Sequence, residues 1–497
     1  MESHFSLLDG GIVGLYLLIT MAAGIMVRKY VGKVEHFLVA GREMNLYLGI
    51  ASLAATEFGI VTCMYAAQNG YDKGFAGATP GILFALAMLF VGLTGFCIKP
   101  LRNSGVMTIP ELFQKQFGTK VRWLSGVVIV LGGLLNMGVF LRTGGEFLVY
   151  VCGLQPGHLE ITMTLLLAGV AAYTILGGML SVLVTDYLQF VVMSIGLIVV
   201  TLLILIKVGW GAMVSAVANH YGAGGFNPFV NPSMGWEFVV FNAMLNMACV
   251  LTWQTTIARV LAAKDSRTGE RMYTATSFFF ICRFLIPGIW GIAALAMLSP
   301  SVVGGNTLLA MPKLLGSMMP VGLMGLLVAA MLAADMSTDS SYMLTWGGVI
   351  YNDILGPFRK GQWSEKRGIL WNRMIVALIG IFLLLYGLWY PLKGDLWTYI
   401  GVTGTIYLSS MSVLLISCCY WRRANSWGAV AAIACGAVFP VTFLVMQQVP
   451  STQALADHIG PYFSGIATYA IAGIAMVVGS LAKPRGKKPV MGEGDSI

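Results

Sequence analysis

Between Gly325 and Ile354 the chain reads GLLVAAMLAADMSTDSSYMLTWGGVIYNDI, an apolar run with Asp335, Ser337, Thr338, Asp339, Ser340 and Ser341 at its centre. An unpaired carboxylate in hydrocarbon costs roughly 2.5–3.5 kcal/mol even on the mildest insertion scale, so these groups need partners. Ser337, Ser340 and Ser341 fall at i, i+3 and i+4 and share one helix face, with Thr338 turned about 100° from Ser337. Serines can also bond their own i−4 carbonyls and pack against neighbouring helices. Four hydroxyls in five residues suit instead sodium or potassium, which take oxygen ligands. Asp335 and Asp339, at i and i+4, point roughly opposite to Ser337. Two arginines lie well inside apolar runs, Arg142 and Arg283. Arg142 has Glu146 one turn along as an i, i+4 partner. Arg283, in FFFICRFLIPG, is therefore expected to form a structural ion pair with Asp335 and Asp339.

Two other runs are interrupted by polar or small residues. One is YLGIASLAATEFGIVTCMYAAQNGY, with Thr56 and Glu57 at its centre and Gly59 just after; the other is WEFVVFNAMLNMACVLTWQTTIARVL, centred on Trp253, Gln254, Thr255 and Thr256. A helix broken at the bilayer midplane frees backbone carbonyls for a cation, and two such helices in corresponding places point to an inverted-repeat transporter. Small residues alone would mean close packing, but Glu57 asks for more than packing.

The elements that hold these residues follow from composition. The chain has 497 residues, 57% hydrophobic and 10% charged, against about 25% charged in soluble domains; its mean hydropathy is +0.80. This is an all-α polytopic membrane protein. The cysteines read as small buried hydrophobes and the histidines have no metal spacing, so no metal besides sodium is expected. No nucleophile–base pair appears, so the chain is not expected to be an enzyme. The net charge of +9 is explained by loops and not by nucleic acid.

Thirteen candidate spans fall at roughly 10–28, 44–70, 78–98, 121–151, 159–177, 181–207, 236–262, 274–298, 318–352, 368–391, 395–420, 426–448 and 461–482. Lysine and arginine cluster on alternate loops, with only Lys73, Lys207, Lys313 and Lys393 on the other side. The positive-inside rule then sets the N-terminus outside and the C-terminus in the cytoplasm, in a multi-pass cell (inner) membrane protein. The start MESHFSLLDG lacks a signal peptide's basic region, so the first run reads as a retained helix. The expected organisation is a leading helix and loop (1–43), a first five-helix unit (44–207), an outer loop (208–235), a second five-helix unit (236–420), two further helices (421–482) and a cytoplasmic tail (483–497). The Gly-, Asn- and Pro-rich loop Gly209–Trp236 reads as a turn-rich cap.

The sequence YTILGGMLSVLVTDYLQFVVM (Tyr173–Met193) resembles the signature of the sodium:solute symporters, whose members include the proline, choline and sialic acid symporters. AADMSTDSSYM is similar to that family's sodium-binding helix, and WQTTIARVLAAKDS to another of its segments; the likeness runs in order over nearly the whole chain. The resemblance implies two inverted five-helix repeats of the LeuT-like kind and sodium-coupled symport of a small organic solute by alternating access. It implies a first sodium site from the carbonyls of Ala55, Phe58 and Ala334 and the hydroxyls of Ser337 and Thr338, with Glu57 either joining it or facing the solute. A second sodium site would use Asp186, Ser340 and Ser341. The solute would meet Glu57, Gly59, Thr62, Asn136, Trp253, Gln254, Thr403 and Tyr407. Asn136 stands where the sialic acid symporter has an arginine, which disfavours an acidic sugar. Glu57 and Trp253 suit an amine, so amino acids and organic amines rank first, small carboxylates second and sugars third. A transporter-like solute sensor and a proton-coupled carrier using Glu57 are the alternatives. The partners expected are the solute, sodium and the lipid bilayer; the identity of the solute, the sodium stoichiometry and the oligomeric state stay open.

Overall fold

The computed structural model describes residues 5–359, 361, 363–390 and 394–483, and the described chain is helical with one isolated bridge. Lys393 and nearly all of the expected tail lie outside the described residues. The principal helices are α1 (Leu7–Val27), α2 (Leu46–Thr56), α3 (Ile60–Lys73), α4 (Thr79–Thr94), α5 (Thr119–Met137), α6 (Phe140–Val151), α7 (Leu159–Lys207) and α8 (Gly235–Thr252). They continue with α9 (Gln254–Ala262), α10 (Ser266–Met297), α11 (Leu323–Val349), α12 (Glu365–Trp389), α13 (Leu396–Tyr420), α14 (Ser426–Gln448) and α15 (Pro461–Ala482).

By length and composition, 11 helical segments among the described residues can cross a membrane. The eleven segments group the thirteen expected spans differently in two places. First, α7 holds both expected spans, 159–177 and 181–207, as two halves of about 29 and 44 Å at 1.5 Å per residue, each long enough to cross a bilayer's hydrocarbon. It is interrupted only at Gly178, whose φ of 55° and ψ of −148° leave the helical region. A Cβ there would sit 2.6 Å from the Phe37 ring, so both the conformation and the space require glycine. Second, the expected span 44–70 is divided into α2, too short to span alone, and α3, which runs on through a 3-10 turn at Gly74–Ala78 into α4 as one apolar segment, Ile60–Thr94. The outer loop also differs from its expected turn-rich form. Trp210–Tyr221 is helical, a 3-10 turn follows at Gly222–Gly225, and only 226–234 is irregular.

The arrangement places α11 and α13 at the centre, each with 89% of its apolar window buried, while α1 at 17% and α14 and α15 at 33% lie at the edge. α7 packs along α11, and α10 packs on α3 and α4. Both broken helices are broken where the sequence placed the interruption. Glu57, Phe58 and Gly59 separate α2 from α3, and Trp253 (φ −65°, ψ 119°) separates α8 from α9. Their ends are tied to one another: Met44 N donates to Ala262 O (3.1 Å) and Lys264 N donates to Met44 O (3.1 Å).

Candidate functional site

The hydroxyls of α11 meet the broken end of α2. Ser337 Oγ donates to the carbonyls of Ala55 (2.9 Å) and Ala334 (2.9 Å), and Thr338 Oγ1 to those of Thr56 (2.9 Å) and Ala334 (3.0 Å). Five oxygens thus converge in a buried space. The helix stops at Thr56, whose carbonyl has no backbone donor among the described residues, while Ala55 O also accepts from Phe58 N (3.2 Å). Gly59 is the enabling residue, since a Cβ there would lie 2.7 Å from Thr338 Oγ1. Ala55, Ala334, Ser337 and Thr338 are brought together as expected; the Thr56 carbonyl takes the bond in place of that of Phe58.

Glu57 sits in the break itself and is buried. Its Oε1 accepts from Thr255 (2.6 Å) and Thr256 (2.9 Å), the first hydroxyls of α9, so the two broken helices are joined through one carboxylate. Its Oε2 faces Arg283 Nη1 at 3.4 Å. Arg283 also donates to Tyr65 OH (2.8 Å) and lies against the rings of Phe84, Phe280 and Phe284. This corrects the expected pairing of Arg283 with Asp335 and Asp339. α10 packs on α3 and α4, beside Glu57, whereas Asp335 is turned to Gly144 of α6. Both Asp339 oxygens and Asp335 Oδ2 have no hydrogen-bond partner among the described residues. Arg142 does pair with Glu146, at 3.0 Å.

Asp186 is fully buried on α7, and its Oδ2 accepts from Ser52 (2.6 Å) and from Arg259 Nη2 (3.0 Å). The same Nη2 reaches Thr56 Oγ1 (2.6 Å) and Ser341 Oγ (2.5 Å). Asp186 and Ser341 therefore converge as expected, but around a guanidinium. Ser340 does not join them; its hydroxyl donates to Ser337 O on its own helix (3.2 Å). Arg259 was missed as a site residue. Its signal is a basic side chain one turn from Thr255 inside a span, with an intramembrane Asp186 to meet.

A cavity between α3, α5, α8 and α13 is lined by Glu57, Thr62, Asn136, Trp253 and Thr338, and by Arg283, Asn246, Tyr65, Tyr342 and Trp397, which the sequence did not assign to it. Its volume is about 40 Å³, enough for a few water molecules at about 10–15 Å³ each. The other expected solute contacts lie elsewhere. Gly59 packs on Thr338, Gln254 faces a separate small cleft beside Leu344 and Thr345, Thr403 stands behind Asn136 (3.1 Å), and Tyr407 is stacked on Trp253. Asn136 Nδ2 donates to Ile400 O (2.9 Å) and Asn246 Nδ2 to Pro80 O (3.0 Å), which leaves Oδ1 of each without a partner among the described residues. Arg283 Nε is likewise unpartnered.

Beyond the cavity, Lys73 Nζ on α3 binds Asp395 (2.8 Å) at the start of α13, and Gln68 Oε1 accepts from Leu396 N (3.1 Å). Burial pushes the Asp395 carboxyl up, but the Lys73 charge and the Thr398 N–H outweigh it and hold the group below the usual carboxylate range. This polar latch ties α3 to the start of α13.

Residues 37–436 match the sodium:solute symporter family. The chain is 26% identical to a sodium/glucose cotransporter 4 of Danio rerio, over 90% of this chain and 73% of that one. It is 26% identical to the sodium/mannose cotransporter SLC5A10 of Bos taurus, over 97% and 87%, and 24% identical to a sodium/myo-inositol cotransporter of Mus musculus, over 96% and 73%. Among solved structures, a substrate-bound, outward-open Na⁺-coupled sialic acid symporter superposes with a TM-score of 0.80 at 18% identity, covering 97% of this chain and 99% of that one. MhsT in complex with L-phenylalanine superposes with a TM-score of 0.51 at 15% identity, covering 88% and 99%. At those identities the likeness is one of fold.

Proposed function

The chain belongs to the sodium:solute symporter family, and on that footing we propose that this sodium-coupled symporter carries a small α-amino acid. The observation that carries the solute class is the set of unmet groups among the cavity residues. Arg283 Nε lacks an acceptor, while Asn136 Oδ1 and Asn246 Oδ1 lack donors. A buried polar atom left unpaired costs about 1–3 kcal/mol, so the complementary solute brings an acceptor to Arg283 and donors to the two amides. A carboxylate suits the guanidinium's fork, and an ammonium suits the amide oxygens. Tyr65, Phe84, Phe140, Trp253 and Trp397 leave an apolar remainder for the side chain. A small carboxylate meets only the first need and ranks second. The relatives named for glucose, mannose and inositol keep sugars as the third class.

Sodium would lodge among Ala55 O, Thr56 O, Ala334 O, Ser337 Oγ and Thr338 Oγ1, with the hydroxyl hydrogens turned away to present lone pairs. Glu57 then serves the site at one remove, as the carboxylate that ties both broken helices and offsets Arg283. A second sodium at Asp186 and Ser341 requires Arg259 Nη2 to withdraw. We assign 44–207 and 236–420 to the two inverted repeats, supported by the corresponding breaks at Glu57–Gly59 and Trp253. The basic loops support an N-terminus outside and a C-terminus in the cytoplasm. The experiment is a thermal-shift screen of amino acids, amines, carboxylates and sugars in sodium and in N-methylglucamine. The expected result is sodium-dependent stabilisation by an amino acid; stabilisation by sugars alone would overturn the solute assignment.

A further inference from the structure

On the lysine- and arginine-rich side of the bundle, a cleft of about 760 Å³ opens between the end of α4, the short helix Ile98–Asn103, the 263–266 connection and the end of α13. Lys99, Arg102, Lys115 and Lys264 line it, with Asp265 as the lining acid. The carboxyl of Asp265 is spent on the start of α10, where it accepts from Thr268 N (2.7 Å). Glu270 stands nearby, close to Gly95. Lys99 and Lys264 are exposed and make no ion pair among the described residues. Lys115 is held to Ser104 O (2.6 Å) and makes no ion pair among the described residues. Arg102 donates Nε to Ala263 O (2.7 Å) and Nη2 to Lys264 O (3.1 Å).

The cleft borders on apolar surface. Above it α4 exposes Leu86, Phe90 and Leu93 on one face, and α13 exposes Ile416 and Tyr420. Phe96 stacks on Tyr420 with centroids 5.2 Å apart, an aromatic pair of the kind found at the level of lipid headgroups. A concave, cationic pocket beneath an exposed aliphatic track matches a molecule that carries a phosphate and acyl chains together.

We propose that this cleft binds the headgroup phosphate of an anionic phospholipid from the adjoining leaflet, with the acyl chains lying along α4 and α13. The site is separate from the sodium and solute machinery but touches its support. The 263–266 connection is bridged to Met44, so the headgroup would rest on the joined ends of α2 and α9. Occupancy would stiffen that junction.

The test uses the purified full chain in neutral detergent, with phosphatidylglycerol, phosphatidylcholine and inorganic phosphate as the three probes, read by native mass spectrometry and melting temperature. Phosphatidylglycerol is expected to bind and to raise the melting temperature, with phosphatidylcholine well behind. The double variant Lys99→Gln with Lys264→Gln removes two exposed charges and no structural bond. It should weaken phosphatidylglycerol binding roughly thirtyfold, at the contribution typical of lysines at an anionic surface. Its melting temperature without lipid should match the parent's, and if it does not, Lys99→Gln alone should weaken binding about fivefold. Equal phosphatidylglycerol binding by parent and variant would overturn the assignment. So would equal binding of the two lipids. Stabilisation by inorganic phosphate as large as that by the lipid would replace it with a site for a water-soluble anion.

Discussion

The pair Glu57–Arg283 can be taken apart one charge at a time. The side chains are 2% and 9% exposed and 3.4 Å apart. Removing one partner of such a buried pair costs about 3–5 kcal/mol, because the remaining charge is left uncompensated. Glu57→Gln keeps an amide oxygen for Thr255 and Thr256, so its cost belongs at the low end, about 3 kcal/mol. Arg283→Met also loses the bond to Tyr65 and the contacts with three phenylalanine rings, so it should cost more, about 4–5 kcal/mol. The double variant leaves no buried charge and should cost less than the sum by about 2–3 kcal/mol. The assay is unfolding in mixed micelles by titrated dodecyl sulfate, followed by circular dichroism, for parent, both singles and the double. Additivity within about 0.5 kcal/mol would refute the pairing, since independent sites behave that way. Large coupling of Arg283 with Asp335→Asn in its place would restore the partner expected from sequence.

Sodium should raise the melting temperature relative to N-methylglucamine, by about 2.7 kcal/mol of stability at a hundred times its Kd, and Ser337→Ala with Thr338→Ala should abolish the increment; an unchanged increment refutes the cage. Arg259→Gln should enlarge the sodium increment by freeing Asp186 and Ser341, whatever it does to the sodium-free melting temperature, and an increment equal to the parent's would show that the guanidinium does not compete with the ion. The folded-state value of Asp395 is depressed, so the latch to Lys73 is at full strength above the ordinary carboxylate pKa of about 3.9 and is lost only as pH falls below it. Maleimide labelling of Asn306→Cys, near that latch, taken relative to the labelling of the unfolded protein at the same pH because only the thiolate reacts, should thus stay flat from about pH 5 to 8 and rise in Lys73→Gln; relative labelling that climbs within that window contradicts the assignment.

The class, the helix breaks and the cage hydroxyls were legible because each leaves a local mark: charge depletion, Glu57 or Gln254 inside an apolar run, and Ser337 and Thr338 adjacent. What sequence could not give was the rotation of α11 about its axis. A helix buried on every side has no amphipathic stripe to orient it, and α11 is buried nearly throughout. The aspartate face was read correctly as opposite Ser337, but nothing in the spacing says that it meets Gly144 and not Arg283. Arg259 was hidden for another reason. It lies five residues from Lys264, where a basic side chain reads as part of the flank that sets orientation, and only the fold folds it back onto Asp186. The helix Trp210–Tyr221 was lost among glycines that cluster after it.

The coupling between ion and solute can be followed through Thr338, which both donates to the Thr56 carbonyl and lines the cavity beside Glu57. The hydroxyls of α11 hold the α2 carbonyls directly. A sodium ion placed among them would convert two donors into ligands and replace those hydrogen bonds by ion contacts, changing how α11 and α2 are held together. Glu57 is the next residue after Thr56, and it carries both α9, through Thr255 and Thr256, and Arg283. A shift of α2 therefore reaches the guanidinium proposed to take the solute carboxylate without any contact between ion and solute. The cavity, at about 40 Å³, must widen before a solute can bind. An ion that favours the wider form by its contacts alone would raise solute affinity, and linkage then requires that the solute raise sodium affinity by the same factor.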